Sequence, residues 1–211
     1  VSDSFINGNT AYGGGGIFSG DSGTLSVIGS SVNGNTSTNY GGGILNSGTC
    51  TVSGSAVTGN TSTSWAGGIY NDYGSLSVIG SSITDNTATF GGGIYNVYSG
   101  TCIITDSNIN NNTADFGGGI NNYGICIVSD SFINGNTAYG GGGILNQYSS
   151  TCTVIGSSLK GNNAGNGGGI FNYSDATVID SSVTANTATY GGGGISNYDG
   201  TLTVTGSDIN N

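Results

Sequence analysis

The sequence predicts an all-β fold, a single parallel β-helix (β-solenoid) of about eight coils with about 25 residues in each coil. A glycine run followed by Ile returns at a nearly constant spacing along the whole chain. The segments between these runs alternate polar and apolar residues, as half-buried strands do. No segment has the 3.6-residue spacing of an amphipathic helix. We therefore expect residues 1–211 to form one solenoid domain. The Ile residues that follow the glycine runs are Ile17, Ile44, Ile69, Ile94, Ile120, Ile144, Ile170 and Ile195.

Each period contains the same elements in the same order. One variable residue and an Asn follow the Ile, and after a short loop a strand begins, of which 24–27 (Thr-Leu-Ser-Val) is an example. A second short segment, such as 30–32 (Ser-Ser-Val), ends three residues before another Asn. Successive coils of a solenoid stack about 4.8 Å apart, so equivalent residues are expected to form columns.

Two columns of Asn and one of Ser are predicted at the coil corners. An Asn tolerates the left-handed backbone of a corner, and its amide is able to bond the Asn of the coils above and below. We expect these columns to be structural rather than catalytic. The first is Asn9, Asn35, Asn60, Asn86, Asn112, Asn136, Asn162 and Asn186. The second is Asn46, Asn71, Asn96, Asn122, Asn146, Asn172 and Asn197. The Ser column is Ser4, Ser30, Ser55, Ser81, Ser107, Ser131, Ser157, Ser181 and Ser207.

The Gly-Gly-Gly-Ile motif at 91–94 and the apolar-x-x-Asn element at 109–112 resemble the repeats of the polymorphic outer-membrane protein family. The resemblance covers the whole chain, and it implies a right-handed parallel β-helix that is displayed at the cell surface as a passenger or adhesin. The chain departs from the family motif by having Ile or Val, and at one position Leu159, where the family prefers Phe. Because the motif residues build the coil, the resemblance bears on the fold more than on the function.

Four cysteines fall in a column that other coils fill with Leu, and this column is expected to point inward. Three of them occupy consecutive coils, at a Cα separation that allows a disulfide. The alternative is that they are small buried core residues. The sequence predicts at most one intrachain disulfide and no metal site, because a single file of ligands does not form a tetrahedron. The column is Cys50, Cys102, Cys126 and Cys152.

Two files of aromatic residues flank the glycine runs. Rings at the coil spacing are able to stack and stiffen the rod, contributing roughly 0.5–1.5 kcal/mol per pair. They are also suited to bind sugar rings or to pack rods side by side. The first file precedes the glycines and consists of Tyr12, Tyr40, Trp65, Phe90, Phe116, Tyr139 and Tyr190. The second follows the second Asn column and consists of Tyr73, Tyr98, Tyr123, Tyr148, Tyr173 and Tyr198.

The composition excludes several classes of function. The chain has no His, a single basic residue, Lys160, and 11 acids that are all Asp, with a net charge of −10. A His-based triad and a paired-Glu glycosidase site need residues that are absent. A nucleic-acid interface needs several Lys or Arg residues for its phosphate contacts, and this acidic chain has one. Asp106 and Asp130 occupy equivalent positions in neighbouring coils. Their two carboxylates are expected to lie one coil spacing apart, which makes them a candidate site for Ca²⁺, although two ligands alone are few. We expect no enzymatic activity and no cofactor.

The low charge and the abundance of Gly, Ser, Thr and Asn favour an extracellular or cell-surface protein with a structural or adhesive role. No apolar stretch approaches the 18 or more residues of a membrane span, so we expect no membrane insertion by this segment. Neither end of the sequence shows a cap. Either the chain is a fragment of a longer repeat protein, or its ends pair head-to-tail into a filament or sheath. Lateral self-association and binding to surface glycans are further interactions that the sequence allows.

An ice-binding or carbohydrate-binding solenoid is the alternative function. The outward positions of the longer strand carry a Thr-x-Thr trend, as at 49–51 and 201–203, and flat Thr ladders are a surface that ice-binding solenoids use. Ile125 and Ile127 interrupt the array. Thr is also simply favoured on exposed strand faces.

Overall fold

The computed structural model describes residues 1–210 and confirms the predicted fold class. Its strands form a β-solenoid of about 8 turns with ~26 residues per turn, and every strand pairing is parallel. Equivalent residues of successive coils lie in register, as Ile69 does with Ile44 and Ile94. The described residues contain no helix, and hence none that is long and apolar enough to cross a membrane.

Three long sheets form the walls of the solenoid, and each coil contributes one strand to each sheet. Sheet I consists of Ile17–Ser19, Ile44–Asn46, Ile69–Asp72, Ile94–Val97, Ile120–Asn122, Ile144–Asn146, Ile170–Asn172 and Ile195–Asn197. Sheet II consists of Thr24–Ile28, Thr49–Ser53, Ser75–Ile79, Thr101–Thr105, Ile125–Ser129, Thr151–Ile155, Asp175–Ile179 and Leu202–Thr205. Sheet III consists of Phe5–Asn7, Ser31–Asn33, Ala56–Thr58, Ser82–Thr84, Asn108–Asn110, Phe132–Asn134, Ser158–Lys160, Ser182–Thr184 and Asp208–Asn210.

Two small sheets lie between sheet III and the glycine runs. Their strands are Thr10–Gly13, Thr36–Tyr40 and Thr61–Ser62 in one, and Asn163–Ala164 and Thr187–Ala188 in the other. In the coils between them, single bridges such as Thr87 with Thr113 continue the same pairing.

Four apolar side chains fill the interior of a typical coil. In the coil that begins at Ile94, these are Ile94 from sheet I, Cys102 and Ile104 from sheet II, and Ile109 from sheet III, all fully buried. Burial of a large aliphatic side chain stabilises the folded chain by roughly 1.5–3 kcal/mol. Each side chain also packs on its counterparts in the neighbouring coils, so the core is continuous along the axis.

The ladder Asn residues do not themselves take the left-handed backbone of the corner, and that part of the sequence prediction was wrong. The left-handed residue is the one before each ladder residue: Gly34 before Asn35, for example, has φ 61°. In the coils where this position is not Gly, it is Asp85, Asn111 or Ala185, all with φ between 52° and 58°. The ladder Asn itself is left free to direct its amide along the axis.

The glycine runs are required because backbones of successive coils approach closely there. A Cβ on Gly118 would lie 2.6 Å from the carbonyl oxygen of Gly142 and 2.7 Å from that of Thr137. The glycine before it, Gly117, has φ +67°. Gly117 is thus needed for its left-handed backbone, and Gly118 is needed because a side chain there would not fit.

Candidate functional site

The first Asn column forms a continuous hydrogen-bonded ladder inside the solenoid. The Nδ2 of each Asn donates to the Oδ1 of the Asn in the next coil, as from Asn86 to Asn112 at 3.0 Å and from Asn112 to Asn136 at 3.0 Å. The same Oδ1 accepts the backbone N–H of the preceding Asn, and Nδ2 also donates to a sheet III carbonyl such as that of Ile83. From Asn35 to Asn186 these side chains are fully buried and bonded. Their arrangement is structural.

The second Asn column and the Ser column are built in the same way. Nδ2 of Asn71 donates to Oδ1 of Asn96 at 2.7 Å, and this pattern continues from Asn46 to Asn197. In the Ser column each hydroxyl accepts the backbone N–H of the Ser in the preceding coil, as Ser107 does from Ser81. These polar groups are occupied by coil-to-coil bonds, so none of them is free to act on a ligand.

The four cysteines lie in one inward column of sheet II as free, buried thiols. Cys126 pairs in register with Cys102 on one side and Cys152 on the other, while Cys50 lies between Leu25 and Leu76. Burial raises the pKa of Cys50 to about 12. A hydrogen bond with the Cys102 thiol, together with burial, holds the pKa of Cys126 well above its usual range. Thiols in this environment are core residues and poor nucleophiles.

Asp106 and Asp130 are exposed residues at a left-handed corner, with φ of 50° and 49°. Gly takes the same position in other coils, for example Gly54 and Gly80, both with φ 54°. The position therefore selects residues that accept this backbone. Among residues 1–210, no group of three or more His, Cys, Asp or Glu side chains is placed to hold a metal ion.

The first aromatic file is a true column over four coils only. Tyr40 stacks on Trp65 with ring centroids 5.0 Å apart, and the column continues through Phe90 to Phe116. Tyr12, Tyr139 and Tyr190 precede longer runs of four glycines and lie one residue outside this register. Gly13 pairs with Tyr40, and Gly140 pairs with Phe116. These three tyrosines are consequently displaced outward and are 59–73% exposed.

The second aromatic file forms two stacks, and Tyr123 belongs to neither of them. Tyr73 and Tyr98 form a parallel stacked pair at 4.3 Å, and both have positive φ, which turns their rings away from the sheet. Tyr123 instead contacts Tyr95 edge-on at 5.8 Å. The remaining members form a second stack, in which Tyr148, Tyr173 and Tyr198 follow one another at 4.9 and 5.1 Å.

A further column of large side chains lies on the outer face of sheet I, and the sequence analysis missed it. These residues follow the Ile of each coil, where the sequence was interpreted as variable. Tyr70 and Tyr95 are only 6% and 8% exposed, although they point away from the core. Rings from the two aromatic files cover them: Tyr40 contacts Tyr70 at 5.2 Å. We call this the floor column; it consists of Phe18, Leu45, Tyr70, Tyr95, Asn121, Leu145, Phe171 and Ser196.

The floor column and the two aromatic files together enclose a groove, which we call the aromatic groove. Its volume is about 710 Å³, and its lining contains no charged side chain. A neighbouring depression of about 470 Å³ shares Tyr40 and Tyr70 with it and ends near Asp72. The groove is lined by Tyr40, Trp65, Tyr70, Tyr95, Val97, Tyr98, Ser99, Tyr123, Tyr148 and Ser149.

Burial shapes the acidity of the groove. It raises the pKa of Tyr70, with a smaller contribution from the charge of Asp72, and it raises the pKa of Tyr95, with a smaller contribution from Tyr123. The pKa of Asp72 is itself raised by burial and by Asp21. At neutral pH the groove therefore presents neutral phenols, which donate and accept hydrogen bonds beside flat apolar rings.

The outer face of sheet II carries the Thr-x-Thr trend in register, but large apolar residues lie within it. Ile103 and Ile125 are 40% and 47% exposed at positions that Thr or Ser takes in other coils. The Thr ladder is thus interrupted in two successive coils. Ice binding stays a prediction.

The fold and the groove define the class of this protein, a parallel β-solenoid with an aromatic groove on one face. Comparison with protein-family models, with curated proteins and with solved structures finds no match to this chain. The resemblance of its repeats to those of polymorphic outer-membrane proteins stays a prediction.

Proposed function

We propose that this chain is an extracellular or cell-surface repeat protein with a structural or adhesive role and no enzymatic activity. The observation that carries the proposal is the contrast between its interior and one of its faces. Inside, the ladder amides are used up in bonds between coils, as at Asn112. Outside, sheet I presents a groove of aromatic rings along the axis. A rod with a hydrogen-bonded interior and one aromatic face is better suited to attachment than to catalysis.

Charge supports the same proposal. The chain carries a net charge of −10 with Lys160 as its single basic residue, which keeps rods apart in solution and disfavours anionic partners. The exposed surface is rich in Ser, Thr and Tyr hydroxyls, which bind water and neutral polar ligands. Head-to-tail association is a separate prediction, and electron microscopy of the purified chain tests it.

Labelling and attachment of intact cells test the proposed function. An antibody raised against the chain is expected to stain unpermeabilised cells that produce it, and protease added outside the cells is expected to remove the staining. The Fab fragment of that antibody is expected to reduce attachment of the cells to the substrate on which they grow. A Fab against an unrelated cell-surface protein is expected to leave attachment unchanged. Staining that requires permeabilised cells would contradict the proposal.

A further inference from the structure

The aromatic groove is elongated along the axis of the rod. Its lining extends from Tyr40 to Tyr148, and the adjoining depression adds Tyr12 at one end. These residues belong to six successive coils, which at a spacing of about 4.8 Å gives a length of about 24 Å. A site of this length with similar groups at every coil suits a chain molecule with a repeating unit better than a single small ligand.

The depth of each residue indicates what such a ligand touches. The bottom of the groove consists of buried side chains, which are Tyr70 and Tyr95 of the floor column and Val97, two residues beyond Tyr95. The rim consists of exposed residues that all carry a hydroxyl, and among them Tyr98 is 58% and Tyr148 is 56% exposed. The groove thus offers flat apolar faces bordered by neutral hydrogen-bonding groups. A ligand with apolar ring faces and hydroxyl edges is complementary to both.

The charge and polarity of the groove distinguish between the classes of ligand that could occupy it. The groove lining contains no basic residue, and Lys160 lies in sheet III. Polyanions such as nucleic acids or acidic polysaccharides would meet a chain of net charge −10 without a compensating cation. An apolar helix or a second rod would favour an apolar rim, whereas the rim here is made of Tyr and Ser.

We propose that the aromatic groove binds a neutral polysaccharide chain. Its sugar rings lie against Tyr98 and Tyr148, each of which contacts only one neighbouring ring, and pass the edge of the half-buried Trp65, whose two faces are covered by Tyr40 and Phe90. This inference rests on the proposed adhesive function and gives it a ligand class. Tyr95, in the floor column, supports the site because it makes an edge-on contact with Tyr123 and so holds that ring in the groove lining.

Trp65 makes the site directly observable, because it is the only Trp in the chain and lies in the groove wall. Neutral hexasaccharides (cellohexaose, laminarihexaose, mannohexaose and chitohexaose) are titrated into the purified chain while Trp emission is followed, and calorimetry measures the affinity. Saturable quenching by at least one of them is expected, and hexagalacturonate is expected to give none. No response to any neutral hexasaccharide would overturn the proposal.

Matched substitutions locate the binding. Tyr98→Ala and Tyr148→Ala are each expected to weaken the affinity at least tenfold. Tyr190→Ala removes a ring that is 73% exposed but lies outside the groove, so it is expected to leave the affinity unchanged. An unchanged melting temperature in all three variants shows that the rod is intact. Equal weakening by Tyr190→Ala, or no weakening by the two groove variants, would place binding elsewhere and refute the inference.

Three readouts separate this inference from the proposed function: attachment of variant cells, sedimentation of the purified chain, and display of the chain on cells. If Tyr98→Ala cells still attach as wild-type cells do, the groove is not the adhesive site, although the adhesive function stands. If sedimentation of the wild-type chain instead shows concentration-dependent association that Tyr98→Ala abolishes, the groove packs copies of the rod and the polysaccharide proposal is wrong. If cells do not display the chain at all, the proposed function fails whatever the purified groove binds.

Discussion

Replacing Asn112 with Leu tests whether the buried Asn ladder holds the coils together. Leu is close to Asn in size but has no polar atom, and the site is fully buried. The substitution removes four hydrogen bonds of the side chain. Oδ1 no longer accepts from the backbone N–H and the Nδ2 of Asn86, and Nδ2 no longer donates to Ile83 and Asn136.

The structure allows the loss to be estimated. Four hydrogen bonds at roughly 1 kcal/mol each give a destabilisation of about 4 kcal/mol. The greatest single cost is expected at the Asn86 N–H, because its acceptor disappears while it stays buried; such an orphaned group costs roughly 1–3 kcal/mol. For a chain of this length, a loss of about 4 kcal/mol corresponds to a fall of about 8–16 °C in melting temperature.

Asn108→Leu is the matched control. Asn108 lies four residues earlier on the outer side of sheet III, is half-buried, and makes no side-chain hydrogen bond within residues 1–210. Thermal melting followed by circular dichroism is expected to show a large fall for Asn112→Leu and a change of at most about 0.5 kcal/mol for the control. An unchanged midpoint in Asn112→Leu, or equal falls in both variants, would refute the assignment of the ladder as the element that joins the coils.

Four other predictions address the glycines, the phenols, the thiols and the weak cation site. Gly118→Ala is expected to lower the melting temperature far more than Gly161→Ala. A Cβ on Gly118 meets backbone oxygen at 2.6 Å, whereas one on Gly161 meets nothing within 4 Å and bears only the strain of a left-handed backbone (φ +66°), which Ala185 accepts at the same position of the next coil. The pKa of Tyr95 is raised in the folded chain, so the folded state binds more protons than the unfolded one above about pH 10. Stability is therefore expected to fall as the pH rises beyond that value, and less steeply in Tyr95→Phe; an equal slope would contradict this. All four thiols are buried and are expected to resist iodoacetamide at pH 8 until denaturant is added, which mass spectrometry counts; labelling of the native chain would place a thiol at the surface. Excess chelator is expected to leave the melting temperature unchanged, and a clear fall would indicate a cation at Asp106 and Asp130.

The regular part of the molecule was predictable because each coil repeats the same physical constraints. In the sequence, an Ile follows each glycine run and an Asn recurs two residues later. In the structure, the equivalent Ile and Asn residues of neighbouring coils are paired in register. The inward direction of the Cys column followed from its alternation with Leu in the same strand position. These predictions needed only period and alternation.

The groove could not be predicted in the same way, because its floor depends on contacts between columns. A residue that follows an inward Ile in a strand is expected to face solvent. Tyr95 is buried because one ring from each aromatic file, Phe90 and Tyr123, packs against it. The register of the files was missed for a related reason. Pairing is fixed at the inward Ile, so the fourth glycine before Ile144 displaces Tyr139 outward instead of lengthening the column.

The two kinds of column differ in how much change they tolerate, and this difference bears on function. A ladder residue such as Asn112 bonds the coil on each side, so altering it disturbs three coils at once. The floor column varies within this one chain from Tyr95 to Asn121 to Leu145 while the Ile and Asn on either side of it are kept. The fold thus leaves this face free to vary without disturbing the register. Changes in the floor column are therefore the simplest way for such a rod to alter the shape and chemistry of its groove.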